Sequence, residues 1–164
     1  MRKGVEVTGS GKATVTLPTD EQILITREFD APRHLVYKAW TTPELVKRWW
    51  SGRQGEMDSV EIDLRVGGRW RYVMTSGGQE IAFSGEFREI VENERIVNTE
   101  MFEQMPGTPA INVVTFDDAG GGTKLELLVQ CDSQATRDAI IESGMEVGMQ
   151  EQMNLLDELA ASLR

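Results

Sequence analysis

Apolar and polar residues alternate twice near the start of the chain, at Ala13, Val15 and Leu17 and again at Ile23 and Ile25, with Pro18-Thr19-Asp20 between the two runs. A period of two interrupted by turn residues predicts a hairpin, continued in extended form through Arg27 to Phe29. The period then lengthens. Leu35, Val36, Ala39 and Trp40 recur at helical spacing behind Asp30-Ala31-Pro32, which places Asp30 as the cap and Pro32 in the first turn. Thr42-Pro43-Glu44 restarts the pattern, with Thr42 as a cap, Pro43 at the first helical position, and Leu45, Val46 and Trp49 as the apolar face. Two short helices in tandem are expected.

From about Glu56 to Gln130 the period returns to two. Turn signals fall at Val66-Gly67-Gly68, Ser76-Gly77-Gly78, Glu92-Asn93, Pro106 to Pro109 and Asp117 to Gly122, leaving room for six strands. Val60, Ile62 and Leu64 share one face, as do Trp70, Tyr72 and Met74, and later Leu125, Leu127 and Val129. Short connections without helical crossovers require antiparallel neighbours. A sheet that is apolar on one face must hide that face, and the last segment supplies the cover. Beyond a cap at Asp132 or Ser133, the residues Ile141, Met145, Met149, Met153, Leu156, Ala160 and Leu163 form one stripe roughly six turns long. Its other face carries Glu142, Glu146, Gln150, Asn154 and Asp157 or Glu158. Gly144 and Gly148 interrupt it, so either two helices meet with a bend there or the glycines admit a close neighbour.

Composition narrows the class. The 164 residues suit a single α+β domain, read as residues 12–164 behind a flexible lead-in at 1–11 that holds three glycines and little periodicity. With 17 basic against 27 acidic residues the net charge is −10, and no basic run is present, which argues against a nucleic-acid surface or a polybasic membrane patch. Cys131 and His34 are the sole representatives of their types, too few for a structural zinc site within one chain. Neither metal nor cofactor is expected. A cysteine-histidine dyad is set aside for a buried structural thiol and an exposed imidazole at a helix start. Without an export-type apolar stretch or a membrane span, the chain reads as cytoplasmic. Gly67-Gly68 and Gly120 to Gly122 lack the following helix and Lys-Ser/Thr pair of a phosphate loop, and read as hairpin turns.

The order of hairpin, two small helices, six-stranded meander and long terminal helix is that of the helix-grip fold. The stretches REFDAPRHLVYKAWTTPELVKRWW, DLRVGGRW, FSGEFREIVENERIVNTE and GMEVGMQEQMNLLDELAASL together resemble the SRPBCC superfamily of START-like lipid-binding domains and polyketide cyclases. Within it they are most similar to the bacterial relatives of the activator of the ninety-kilodalton heat-shock protein's ATPase, over roughly residues 20–163. The resemblance implies a cavity between sheet and terminal helix that takes lipids, polyketides or other apolar molecules, with chemistry only in some branches. The activator role itself is not expected to carry over: much of it lies in a separate N-terminal domain of the eukaryotic protein, and only a short segment precedes the similar region here.

Candidate ligand-binding residues follow from the faces. On the inner sheet face are Trp70, Tyr72, Met74, Phe83 and Phe87, with Met101 or Phe102 on the next strand, opposite Met145, Met149 and Met153. Unbranched, polarizable methionines facing aromatic rings either line an adaptable pocket or fill a core. Trp49 and Trp50 are adjacent, so one points in and the other rims an opening, unless both simply pin the helix. Among strand carboxylates, alternation sends Glu61, Asp63 and Glu86 outward. Glu100 is open, because Ile96, Asn98, Glu100 and Phe102 oppose Arg95, Val97, Thr99 and Met101 without a clean pattern. Turned inward it is a polar anchor; turned outward it is a surface acid. No catalytic residue is assigned. The expected function is binding of a small apolar or amphipathic molecule, with no nucleic acid or membrane as partner. Two alternatives are a cyclase- or hydrolase-like enzyme using a cavity carboxylate or Tyr72, and a chaperone-associated protein-interaction domain with a solid core.

Overall fold

The computed structural model describes residues 12–164, so the lead-in expected over residues 1–11 lies outside the described residues. Strands β1 (Thr14–Thr16) and β2 (Gln22–Phe29) are followed by helices α1 (Arg33–Thr41) and α2 (Pro43–Val46). Then come β3 (Glu56–Ile62), β4 (Arg69–Ser76), β5 (Gln79–Val91), β6 (Arg95–Phe102), β7 (Ala110–Ala119) and β8 (Gly122–Gln130). Helices α3 (Gln134–Glu142) and α4 (Met145–Ser162) complete the chain. This is the expected α+β helix-grip architecture.

All eight strands form one antiparallel sheet in the order β1-β2-β8-β7-β6-β5-β4-β3. Two of the hairpins in the meander from β3 to β8 turn on paired glycines. Gly77-Gly78 and Gly120-Gly121 all have positive φ, and the flanking residues Ser76 and Gln79, or Ala119 and Gly122, are paired directly. The second of these turns is tighter than expected, since Asp117 and Asp118 still pair with Lys124 and Thr123. β2 then pairs with β8 along its length, from Gln22 opposite Gln130 to Phe29 opposite Thr123. That pairing joins the first hairpin to the meander and makes one inner face, against which α1 and α2 are packed, with α4 contributing to the same core from beside α1. The core comprises Ile23, Ile25, Phe29, Val36, Val46, Ile96, Val114, Phe116, Leu125, Met153 and Leu156, all essentially inaccessible.

Several local expectations are corrected. Asp30 does not cap α1: the helix starts at Arg33, so Pro32 is the cap residue, and its carbonyl accepts from Leu35 and Val36 N–H at 3.0 and 3.2 Å. Thr42 does precede Pro43 at the start of α2, but through its carbonyl rather than its hydroxyl, accepting from Leu45 and Val46 at 2.9 Å each. Leu64 lies beyond the end of β3 and is exposed. The terminal stripe is two helices. Ser133 caps α3 by accepting from Thr136 N–H at 3.1 Å, and Gly144, at φ 85°, ends it in a left-handed step no side-chain-bearing residue takes easily. Gly148 remains helical and admits a neighbour instead, since the loop residue Gly52 packs against its carbonyl. The polar face of α4 is partly engaged with the protein. Gln150 exchanges hydrogen bonds with the Ala13 main chain, while Asn154 and Asp157 accept from Arg27, an inward-pointing and 2% exposed arginine of β2.

Candidate functional site

The sheet and helices do not close completely. Between the inner face and α1, the turn after α2, α3 and α4 lies a hollow of about 840 Å³. It reaches the surface beside the β6–β7 connection, where Met105, Pro106, Gly107 and Thr108 border it and Met105 is 75% exposed. Asp132, Thr136, Ala139 and Ser143 form the facing rim from α3 and the residues around its start and end.

Trp49, Trp50, Trp70, Tyr72, Phe83, Phe87, Glu100, Met101, Phe102, Met145, Met149 and Met153 all border this hollow. Met74 does not. It sits on the same face of β4 as Trp70 and Tyr72 but two residues further along, where it pairs with Met57 and is covered by the segment around Gly55. The strand has passed beneath the loop that follows α2, so Met74 is buried core rather than wall.

The two adjacent tryptophans divide their roles. Trp49 is 2% exposed, donates its indole N–H to the Ala39 carbonyl at 3.0 Å and lies 5.0 Å from the Trp40 ring, so it fastens α2 to α1. Trp50 is half-buried and meets Tyr72 and Phe83 edge-on at 5.1 and 5.0 Å. Phe83 stacks on Phe102 at 5.1 Å, and Tyr72 leans on Trp70 at 4.7 Å, so one wall is a continuous run of rings.

Trp70 is held from the far side. Its indole donates to the Thr99 carbonyl at 3.1 Å, an oxygen that also accepts from Asn98 Nδ2 at 3.1 Å. To reach β6 from β4 the indole must cross β5, and it does so over Gly85, the residue paired with Trp70. The β5–β6 ladder is irregular there: Glu86 N–H donates to the Thr99 hydroxyl at 2.9 Å instead of to a main-chain carbonyl.

The face of β6 that alternation left open is turned inward. Ile96, Asn98, Glu100 and Phe102 all border the hollow, joined by Asn112 of β7, which donates Nδ2 to Glu100 Oε1 at 2.6 Å. Burial raises the Glu100 pKa above the ordinary carboxylate range, and the Asn112 hydrogen bond only partly opposes it. Tyr72 is pushed up as well, by burial first and then by the negative charge of Glu100, so its hydroxyl stays protonated. Asn112 Oδ1 is buried with no hydrogen-bond partner. Asn112 was missed by the sequence reading, although Asn112, Val114 and Phe116 alternate onto one face and two of those residues are fully buried.

Elsewhere the chemistry is sparse. Cys131 is buried, which raises its thiol pKa, whereas His34 is exposed. Among the described residues no group of three or more His, Cys, Asp or Glu side chains is placed to hold a metal ion, and no helix is long and apolar enough to cross a membrane.

A family profile described as Activator of Hsp90 ATPase homolog 1-like protein matches residues 30–161. Among solved structures, a Rhodobacter sphaeroides protein is similar at 23% identity, over 93% of this chain and 99% of that one, with a TM-score of 0.87. A Mycobacterium smegmatis protein is 26% identical over 90% of this chain and 96% of its own, at a TM-score of 0.80. An Aeromonas hydrophila protein described as AHSA1-like is 20% identical over 87% and 93%, at 0.66. No curated protein matches the chain at a significant level.

Proposed function

This chain belongs to the Activator of Hsp90 ATPase homolog 1-like family, within the SRPBCC superfamily, and from that premise we propose that its hollow binds one small apolar or amphipathic molecule. The observation that carries the reading is a space of about 840 Å³ walled by aromatic and methionine side chains with polar groups gathered on β6 and β7. That volume lies within the range of roughly 300–1,000 Å³ typical of small-molecule pockets. Rings and thioethers of this kind select by shape, and the few polar atoms orient one end of the guest. A protein-interaction domain with a solid core is less well supported, because it gives no reason for the cavity. We place the protein in the cytoplasm, acting on a small molecule rather than on nucleic acid or membrane; the acidic net charge of −10 supports the exclusion of polyanions.

Titration calorimetry with 1-decanol tests the reading, alongside native mass spectrometry of protein purified from its own host. Decanol is expected to bind with a stoichiometry near one. Met149→Trp, which adds bulk from the wall of the space, is expected to weaken it roughly tenfold or more while leaving unfolding cooperative. If neither decanol nor a co-purifying mass is bound, or if Met149→Trp destabilises by ~1–3 kcal/mol without affecting uptake, the reading is wrong.

A further inference from the structure

The charges around the hollow are all of one sign. Among the residues that border it, Glu100 and Asp132 are acidic and none is Lys, Arg or His. Asp132 is exposed at the rim, whereas Glu100 stands within the wall and has Asn112 as its hydrogen-bond partner. The neighbouring Asn112 Oδ1 is an acceptor that receives no donor. One side of the chamber therefore carries a carboxylate and an amide oxygen without a donor, next to the ring wall of Trp50, Tyr72 and Phe83.

We propose that the guest of this cavity is an amphipathic cation: an apolar body with a protonated amine at one end, paired with Glu100 and flanked by Asn112. This rests on the ligand-binding reading above and adds the charge of the guest. A fatty acid or other anionic amphiphile would bring a second negative charge beside Glu100 with no basic group to meet it. An alcohol would supply a single O–H donor and no charge to balance the carboxylate. An ammonium supplies both the missing charge and several N–H donors, one for Glu100 and others for neighbouring acceptors. The empty protein already bears the cost of holding Glu100 away from water, so the amine has only its own desolvation to offset. The aromatic wall favours the same charge, since ring faces attract cations. The outer surface, at a net charge of −10, steers it the same way.

The test uses three probes of one chain length, decylamine, 1-decanol and decanoate, titrated calorimetrically into the wild-type protein at neutral pH and moderate salt. The expected order is amine first, roughly tenfold or more tighter than the alcohol, with decanoate weakest. Glu100→Gln, which keeps shape and removes charge, should bring the amine to within about twofold of the alcohol measured on the same variant. Met149→Trp should weaken amine and alcohol alike. Equal binding of amine and alcohol, or tightest binding of decanoate, overturns the cationic guest but leaves the cavity reading intact. An amine preference that survives Glu100→Gln, or amine binding that survives Met149→Trp, traces to the acidic exterior and also overturns it. Failure of all three probes overturns the cationic guest and, where no co-purifying mass is found either, the cavity reading with it. Should Glu100→Gln not fold, the order of the three probes on the wild-type protein still decides.

Discussion

Replacing Gly85 by alanine is expected to be among the more damaging small changes in this protein, and its cost follows from distances. An added Cβ would lie 1.8 Å from the Thr99 carbonyl oxygen and 2.6 Å from the Trp70 indole nitrogen. The nearest atom is main chain in a neighbouring strand, so no side-chain rotation relieves the overlap. β5 is forced away from β6, and Trp70 gives up its hydrogen bond to Thr99. Forcing extra volume into a packed interior costs about 1–3 kcal/mol. Leaving a buried donor unpaired costs about 1–3 kcal/mol more. Against these, alanine restricts the unfolded chain and returns about 0.4–1 kcal/mol. The net expectation is a loss near 3 kcal/mol, or roughly 6–12 °C in melting temperature for a chain of this size. Urea unfolding of wild type and Gly85→Ala measures it directly. Gly107→Ala serves as control, because nothing lies within 4 Å of its added Cβ, and should stay within about 0.5 kcal/mol of wild type. Trp70→Phe in both backgrounds should remove about 1 kcal/mol of the Gly85→Ala penalty, since the indole bond is then already absent. A Gly85→Ala loss below about 1 kcal/mol would refute the claim that bare backbone is what lets Trp70 reach across β5.

Two further outcomes follow from the site and its helices. Because the Glu100 pKa is raised in the folded state, the native protein holds that proton more firmly than the unfolded chain does. Its stabilising effect is complete below the ordinary glutamate range and is lost as pH rises through the raised native value. Glu100→Gln should therefore match wild type in urea at low pH and exceed it by a margin that grows to a plateau toward neutrality; a margin largest in acid contradicts the burial argument. Gly144→Ala forces an alanine to φ 85° at the α3–α4 junction and should lower stability by about 1–2 kcal/mol, read from the urea midpoint, although no atom stands in its way.

Alternation and turn chemistry made the sheet legible because period two is a local property. Val60, Trp70, Tyr72, Leu125 and the glycine turns could be placed without knowing which strand lay beside which. What could not be read locally is where the covering layer stops. Met74 obeys the same alternation as Tyr72 and is excluded from the hollow only because the loop after α2 descends on it. Glu100 was left without an assigned face for a different reason: β6 carries Asn98 and Glu100 on its inner face, which inverts the usual sorting of polar residues outward. Asn112 supplies the compensation, through the register that sets Asn98 opposite it across β6 and β7, and that partnership depends on strand pairing rather than on sequence spacing. Arg27 repeats the lesson on β2, where an inward arginine is legible only once Asn154 and Asp157 of α4 are seen beside it.

All four tryptophans of the chain, Trp40, Trp49, Trp50 and Trp70, border the same hollow, and the sequence has no others. Every indole emitter thus sits within sight of whatever occupies that space. The protein's own indole fluorescence is consequently a gauge of occupancy with no background from distant tryptophans, and a guest that displaces water there reports its arrival without a dye or label.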